Sequence, residues 1–396
     1  MNIPVITAGQ LATQSARRGR IRAVIMRGGT SRGLFFHDRD LPRDPAERDA
    51  VLLRCMGSPD PYRSQIDGLG GATSSTSKIV IIKQSDRNDC DVDYLFGQVS
   101  IDKPLVDYST SCGNLLSAVG PFAIEEGLVP AHDGEVTVRI WQANLGERID
   151  ARVQVCGGVP VETGDFRIDG VPFGSAEICL DFLEIGKGRP VLPTGQTIDS
   201  LMLPDGTTVD ATLVDAAAPT VFVRAADFGL SGSELPAAVN ANASVLARLE
   251  SVRAAAAVKL GLAPDHASAT RDRPASPKIA FVGKAQDYQT TSGDRVAANS
   301  IDVVSRMISM ERCHHAFPVT GVIAITVAAA TSGTIVADLR RESDTTEEGA
   351  LRLGHAAGVG KAAAIVVRSG ATCQVTRATI IRSARRLMDG SLYVPT

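Results

Sequence analysis

The chain echoes itself across its two halves, and that constrains its fold more than any other feature. Cys112 to Ile124 reads CGNLLSAVGPFAI and Cys313 to Ile325 reads CHHAFPVTGVIAI, an offset of 201 with Cys, Gly, Ala and Ile coinciding. Upstream, Lys78-Ile79-Val80-Ile81 faces Lys278-Ile279-Ala280-Phe281 at an offset of 200. Echoes at nearly one offset imply two similar halves. Each half would then present a helix N-terminus and a lysine at the mouth of a strand towards a shared cleft, and an interdomain cleft is a preferred place for a small-molecule site.

At 396 residues the chain exceeds one comfortable core, so two domains of ordinary size are expected. An apolar fraction of 44% and a charged fraction of 21% fit a folded soluble protein. A net charge of -3 with no basic block and few aromatics argues against nucleic acid as a partner. No apolar run is long enough to span a bilayer. Met1 to Arg20 carries Arg17, Arg18 and Arg20 after its apolar residues, the reverse of a secretory signal, and reads as a flexible tail. Seven cysteines, odd in number and without a C-x-x-C pair, point to reduced thiols in a cytoplasmic protein. Cys313-His314-His315 resembles a metal cluster, but adjacent helix residues point about 100° apart and do not converge on one ion. No metal is expected.

Strand patterns cover Ile21 to Met26, Ile79 to Lys83, Val92 to Ile101, Val136 to Trp141, Ile149 to Val155 and Glu177 to Leu183. Helical patterns cover Pro45 to Cys55, Asn114 to Glu126, Asn242 to Leu260 and His315 to Ala330, the second stopped by Gly127. Strands that outnumber helices predict an α+β architecture in which a largely antiparallel sheet wraps a central helix. Glycine and proline gather between Gly186 and Gln196, which places the domains at 21–188 and 189–396 after a tail at 1–20, with a return of the C-terminal segment to the first domain left open. Ala263 to Pro277 reads as an exposed loop.

The chemistry concentrates in Gly70-Gly71-Ala72-Thr73-Ser74-Ser75-Thr76-Ser77-Lys78, where one lysine follows small hydroxyl residues at the start of an apolar strand. Such a lysine can take a proton from a carbon acid whose carboxylates are held nearby. Cys112, ahead of Gly113-Asn114 at a helix start, is a second candidate proton carrier, since the macrodipole favours a thiolate there. The plain alternatives are a solvated surface lysine and a packed, inert thiol. Arg27-Gly28-Gly29-Thr30-Ser31-Arg32-Gly33 offers backbone N–H groups, two hydroxyls and two guanidinium groups, a nest suited to carboxylates. It lacks the endings of a P-loop and the spacing of a dinucleotide fingerprint. Ser332-Gly333-Thr334 and Gly354-His355-Ala356-Ala357-Gly358 are further loops with donors, and together they favour a polyanionic substrate.

An unsaturated tricarboxylate with an acidic CH beside its double bond fits these features. Removal of that proton gives an enolate-like carbanion; its return at another carbon moves the double bond, and its return to the same carbon after rotation exchanges cis for trans. Fixed donors to the enolate oxygens suffice, without a redox cofactor or metal. A lysine with the ordinary pKa of about 10.4 is neutral in only about one molecule in a thousand. Lys78 is therefore expected to have a depressed pKa, through burial and a cationic neighbour such as Arg27, Arg32 or Lys278.

These residues resemble a known family. Arg27 to Gly33, Gly57-Ser58-Pro59-Asp60, Gln65 to Ala72, Thr76-Ser77-Lys78, Asp91 to Phe96 and Cys112-Gly113-Asn114 are similar to the PrpF family, and the likeness runs from about Ile21 to Pro395. The family includes 2-methylaconitate cis-trans isomerase, 3-methylitaconate Δ-isomerase and 4-oxalomesaconate tautomerase. The resemblance implies a diaminopimelate-epimerase-like fold of two pseudo-symmetric domains with the active site between them. It also implies cofactor-independent proton transfer, with Lys78 and Cys112 as the catalytic pair. Arg27, Thr30, Ser31, Arg32, Ser75, Thr76, Ser77, Gly113 and Asn114 are candidates to bind substrate from the first half. Lys278, His315, Ser332, Gly333, Thr334, His355 and Gly358 are the candidates from the second.

Arg32 stands where many members have lysine, which keeps the charge and changes the hydrogen-bond geometry. Gly97 to Lys103 and Val138 to Asn144 lean towards the methylaconitate branch, and Arg312 to Gly321 towards the other two. The expectation is an isomerase of an aconitate-like acid in the cytoplasm, a homo-oligomer of two or four copies, with no nucleic-acid or membrane partner. The rivals are a non-catalytic carboxylate-binding protein and a thiol hydrolase using Cys112 with His314, His315 or His355.

Overall fold

The computed structural model describes residues 18–108, 111–183, 185, 190–273, 276–309, 312–341, 349–369 and 372–395. Most of the expected tail and the first part of the expected boundary stretch, 186–189, lie outside the described residues. The chain divides into two compact units, one of residues up to Ile178 together with those from Arg382 on, the other Cys179–Ile381. The division falls before the expected boundary, and the last strand belongs with the first unit.

The first unit contains β1 (Arg18–Gly28), β2 (Ser31–His37), β3 (Lys78–Gln84), β4 (Val92–Val99), β5 (Val106–Asp107), β6 (Gly134–Gln142), β7 (Glu147–Cys156), β8 (Val159–Pro160) and the C-terminal strand Ala384–Pro395. The C-terminal strand pairs antiparallel with β1, β1 antiparallel with β2, β2 parallel with β3, β3 antiparallel with β4, β4 parallel with β6 and β6 antiparallel with β7. β6 and β7 alternate, burying Val136, Val138, Ile140, Ile149, Ala151, Val153 and Val155. β3, flanked on both sides, buries all of Ile79 to Ile82. Helix α1 (Pro45–Met56) packs Leu52, Cys55 and Met56 against Leu34, Phe36, Ile79 and Ile81. It starts where the Asp44 carboxylate accepts the N–H groups of Ala46 and Glu47, and stops at Gly57 with φ +72°.

The second unit contains β9 (Ile178–Leu183), which begins in the first, β10 (Asp199–Met202), β11 (Thr208–Ala216), β12 (Ala218–Arg224), β13 (Lys278–Lys284), the small hairpin of β14 (Tyr288–Gln289) and β15 (Arg295–Val296), β16 (Val303–Ser309), β17 (Arg312–Cys313), β18 (Ala350–His355), β19 (Gly358–Ser369) and β20 (Thr372–Arg382), whose last residue belongs to the first. From β10 through β11, β12, β13, β16 and β18 to β19 the pairings run antiparallel, antiparallel, parallel, antiparallel, parallel, antiparallel. That is the order found in the first unit, strand for strand. β3 and β13 correspond: each has seven residues, opens on a lysine and pairs parallel with the strand before it.

Each unit has a buried helix where the echo lies. In the first it is broken into α2 (Gly113–Leu116) and α3 (Val119–Glu125), against the single helix expected over Asn114 to Glu126. Pro121, with no N–H and a ring that crowds the preceding turn, prevents one ladder running through Ser117. In the second unit α4 (Pro236–Ala241), α5 (Ala243–Lys259) and α6 (His266–Asp272) precede α7 (Val319–Ala330) and α8 (Ile335–Leu339). α7 starts at Val319 rather than His315 because Pro318 disfavours helix in the residue before it and becomes the N-cap. α6 corrects the exposed loop expected over Ala263 to Pro277: Asp265 caps it by accepting from Ser268. Residues 274–275 of that stretch lie outside the described residues.

The coinciding glycines of the echo have one physical cause. A Cβ on Gly120 would lie 2.8 Å from Val153 Cγ2, and one on Gly321 2.7 Å from the Met307 side chain. Each helix rests directly on its sheet at that point, and any larger residue would lift it away. Among the described residues no helix is long and apolar enough to cross a membrane.

The end of α3 is tied to three strands through one carboxylate. Partly buried Glu126 accepts from Arg22 of β1, from Arg386 of the C-terminal strand at 2.8 Å, and shares a 3.0 Å hydrogen bond with His37 Nε2. Burial would raise its pKa, but the bonds from Arg22, Arg386 and His37 outweigh this and hold it at about 2, against an ordinary 4.5. A depressed carboxyl stabilises the fold above its unfolded pKa and loses that contribution as pH falls from about 4.5 towards 2. The shift corresponds to about 3 kcal/mol. Glu126→Gln should cost about 2–3 kcal/mol in urea unfolding at neutral pH and flatten the acid dependence of stability. Parallel acid profiles for the two proteins would contradict this.

Candidate active site

The stretch Arg27 to Gly33 is a tight hairpin rather than the open nest expected. Gly28 pairs with Ser31, so Gly29-Thr30 is a two-residue turn, and Gly29 at its first central position has φ +50°. Arg27 Nη1 donates to the carbonyls of Gly29 and Ser383, both at 3.1 Å, and Nη2 donates to Ser175 Oγ at 3.2 Å. Its guanidinium therefore braces the turn. Burial, reinforced by Arg385, lowers its pKa.

Asn114 locks the other side of this turn. Its Nδ2 donates to Thr30 Oγ1 at 3.0 Å and Ser31 Oγ at 3.4 Å, and a Cβ on Gly29 would lie 2.4 Å from its Oδ1. Asn114 thus orients two hydroxyls. Cys112 is the N-cap of α2; its Sγ accepts from Leu115 N at 3.5 Å, and its carbonyl accepts from Tyr94 Oη at 3.1 Å. The Tyr94 pKa is raised well above its ordinary value by burial, so the phenol keeps the proton it donates.

Lys78 and Cys112 both belong to the first unit. Gly33 is where their surroundings meet: a Cβ there would lie 2.7 Å from Leu115 Cδ1 and 2.9 Å from the Lys78 carbonyl. Half-buried Lys78 directs Nζ to Gln98 Oε1 at 2.7 Å, and Nζ lies 5.0 Å from the centroid of the Phe96 ring. Tyr94, Phe96 and Gln98 alternate along β4 and so share one face, which carries Cys112 at one end and the lysine at the other. Neither Gln98 nor this face was among the expected site residues. Only the cross-strand register, Lys78 opposite Gln98, reveals it.

The hydroxyl loop before Lys78 is partly structural. Ser77 is fully buried and donates to Gln65 Oε1 at 2.7 Å, which corrects its expected contact with substrate. Buried Gln65 also accepts from Ala72 N and donates to Ser58 Oγ, in a backbone of φ +49° held by the Asp60 carboxylate. Thr76 Oγ1 bonds Thr73 Oγ1 at 2.8 Å, and the Ser75 carbonyl accepts from Arg32 N at 3.0 Å. The half-buried Arg32 guanidinium reaches over Gly71, where a Cβ would meet Nη2 at 3.0 Å.

In the second unit Lys278, at the mouth of β13, has Nζ 3.4 Å from Thr320 Oγ1 in the first turn of α7, and burial lowers its pKa. The His314 and His315 rings stack at 4.5 Å. Burial, with smaller effects from His315 and Lys278, lowers His314 to about 4, so it is neutral near pH 7. Cys313, the echo of Cys112, is pushed up to about 11 by burial and stays a thiol. Thr334 is a buried helix cap, donating to Ala328 O and accepting from Ala337 N, beside Ser332 and Gly333 at φ +83°. His355 and Gly358 face each other across a hairpin turn, both carbonyls accepting from Tyr288 Oη, and His355 Nδ1 accepts from Ala357 N. Among the described residues no cluster of three or more His, Cys, Asp and Glu side chains is spaced to hold a metal ion.

A family model described as "PrpF protein" matches residues 18–395. A curated relative from Shewanella oneidensis, named 2-methyl-aconitate isomerase, is 45% identical over 95% of this chain and 97% of its own. A solved structure titled methylitaconate-delta-isomerase superposes with a TM-score of 0.86 at 42% identity, covering 96% of each chain. A hydroxyproline epimerase from Agrobacterium vitis matches at a TM-score of 0.52 and 11% identity over 96% of this chain and 94% of its own, a likeness of fold alone. The architecture is the α+β diaminopimelate-epimerase-like fold.

Proposed function

The chain belongs to the PrpF family, and on that premise we propose that it moves a proton within an unsaturated tricarboxylate of the 2-methylaconitate type, without a cofactor. That it is an isomerase follows from its identity to named isomerases over nearly its whole length. The substrate and the residue roles are our reading. What carries it is the amine of Lys78, held on an uncharged acceptor at the mouth of β3 and linked through Gly33 to the start of the helix that Cys112 caps.

In this reading the Lys78 amine takes the proton from the carbon beside the double bond. The C–H electron pair spreads through the alkene into the adjoining carboxylate. The Thr30 and Ser31 hydroxyls, set by Asn114, and the Arg32 guanidinium would receive the charge that develops on oxygen. Return of the proton to the far end of the allyl system shifts the double bond, and return to the original carbon after rotation gives the other geometric isomer. Cys112 would supply or receive a proton on the second path. An odd number of cysteines without a C-x-x-C pair supports a reducing compartment, and the cytoplasm is the proposed location.

Proton NMR in deuterated buffer over 2-methylaconitate, 3-methylitaconate, 4-oxalomesaconate and the two aconitates tests this. Solvent deuterium should enter the allylic position of 2-methylaconitate as its isomer appears, with slower exchange into the others. Exchange into none of the five would overturn the proposal; preferential turnover of 3-methylitaconate would reassign the substrate and keep the chemistry.

A further inference from the structure

We propose that Gln98 is a positioning residue of the reaction: its side-chain amide, pinned by two backbone carbonyls, holds the Lys78 amine in the orientation from which it takes the proton. The inference rests on Lys78 being the base. Gln98 stands directly opposite Lys78 in the β3–β4 register. Its Nε2 donates to the Ser77 carbonyl at 2.8 Å and the Ser74 carbonyl at 3.2 Å. Both N–H groups being engaged, the amide cannot turn over, and Oε1 faces Nζ at 2.7 Å.

The chemistry of that acceptor suits a base that gains and loses a proton in each turnover. An amide oxygen accepts an N–H from an ammonium or from a free amine, so the anchor survives both states. A carboxylate in its place would favour the ammonium form. The other end of the same two strands shows the contrast. There Lys83 stands opposite Asp93, lies 2.8 Å from Asp86 and 3.3 Å from Asp93, and has its pKa raised, first by its hydrogen bond to Asp86. One strand pair thus carries a charged lysine partnered by carboxylates and, at the mouth, a lysine partnered by an amide. Phe96, two residues before Gln98 on the same face, lies against the amine. Together they restrict a flexible side chain before substrate arrives, which is how orientation contributes to rate.

Gln98→Glu and Gln98→Met separate this role from a structural one. In each protein the Lys78 amine is titrated without substrate, by competitive acetylation read by peptide mass spectrometry, and the pH dependence of kcat/KM is measured beside it. Gln98→Glu should move the labelling curve and the acid-side limb of the rate profile to higher pH together, by at least about one unit. Gln98→Met should lower kcat by about tenfold or more while KM stays within about threefold. If the Gln98→Glu labelling curve lies on that of the wild type, the role of Gln98 falls and that of Lys78 stands. If labelling moves and the rate limb does not, Lys78 is not the base and both readings fall. Should the glutamate variant not fold, an unchanged kcat in Gln98→Met overturns the proposal by itself.

Discussion

Lys78→Ala should lower kcat by about 10³-fold and leave the fold intact, because the substitution removes a base and little else. The side chain sits at the first position of β3, half-buried, with its amine on Gln98 and outside the apolar cluster built from Ile79 and Ile81. Thermal and urea unfolding should therefore change little. Lys78→Arg is the sharper companion. Arginine keeps a positive charge and donors to hold a carboxylate, but it does not deprotonate in proteins and cannot act as a base. If the lysine only binds substrate, the arginine variant keeps much of its kcat; if it carries the proton, arginine is as inactive as alanine. Steady-state kinetics on the preferred substrate of the NMR panel distinguishes the two.

Gly28→Ala should damage stability and activity together. A Cβ at Gly28 would lie 2.4 Å from the Asn114 carbonyl oxygen and 2.9 Å from Leu115 Cα, both backbone atoms that no rotamer change can move aside. The start of α2 would have to shift. Cys112 caps that helix and Asn114 fixes the Thr30 and Ser31 hydroxyls, so the shift reaches three groups of the proposed site at once. Overpacking of this kind costs about 1–3 kcal/mol, and a displacement of about 1 Å at a site can cost about 10² in rate. Gly390→Ala is the control: a Cβ there meets nothing within 4 Å, and its stability should stay within about 0.5 kcal/mol of the wild type. Equal stabilities for the two variants would contradict the clash.

The duplication was legible because both halves meet the same packing demand, a helix resting on a sheet through Gly120 or Gly321, with a lysine heading the seven-residue strands β3 and β13. The candidate proton carriers were legible for a related reason, since both stand at element starts. What escaped was set by tertiary register. The strand Ser31–His37 was hidden within a glycine-rich stretch whose turn is only Gly29-Thr30. Ser77 looked like a donor for substrate, yet the left-handed backbone of Gln65 brings an amide beneath it and turns it inward. Gln98 stands 20 residues from Lys78 in the chain, and no local pattern marks a glutamine as the partner of a lysine. The prolines at 121 and 318 were visible, but the continuous apolar periodicity around them masked the break and the late helix start that they impose.

Chemical rescue of Lys78→Ala by small amines tests the central claim most directly. With methylamine, ethylamine and their less basic fluorinated analogues in solution, turnover in the alanine variant should return in proportion to the concentration of free amine, and the rescued rate should rise with amine basicity while Lys78→Arg stays inactive. Full activity of the alanine variant without added amine, or rescue that follows the concentration of ammonium rather than free amine, would contradict a proton carried by the nitrogen at position 78.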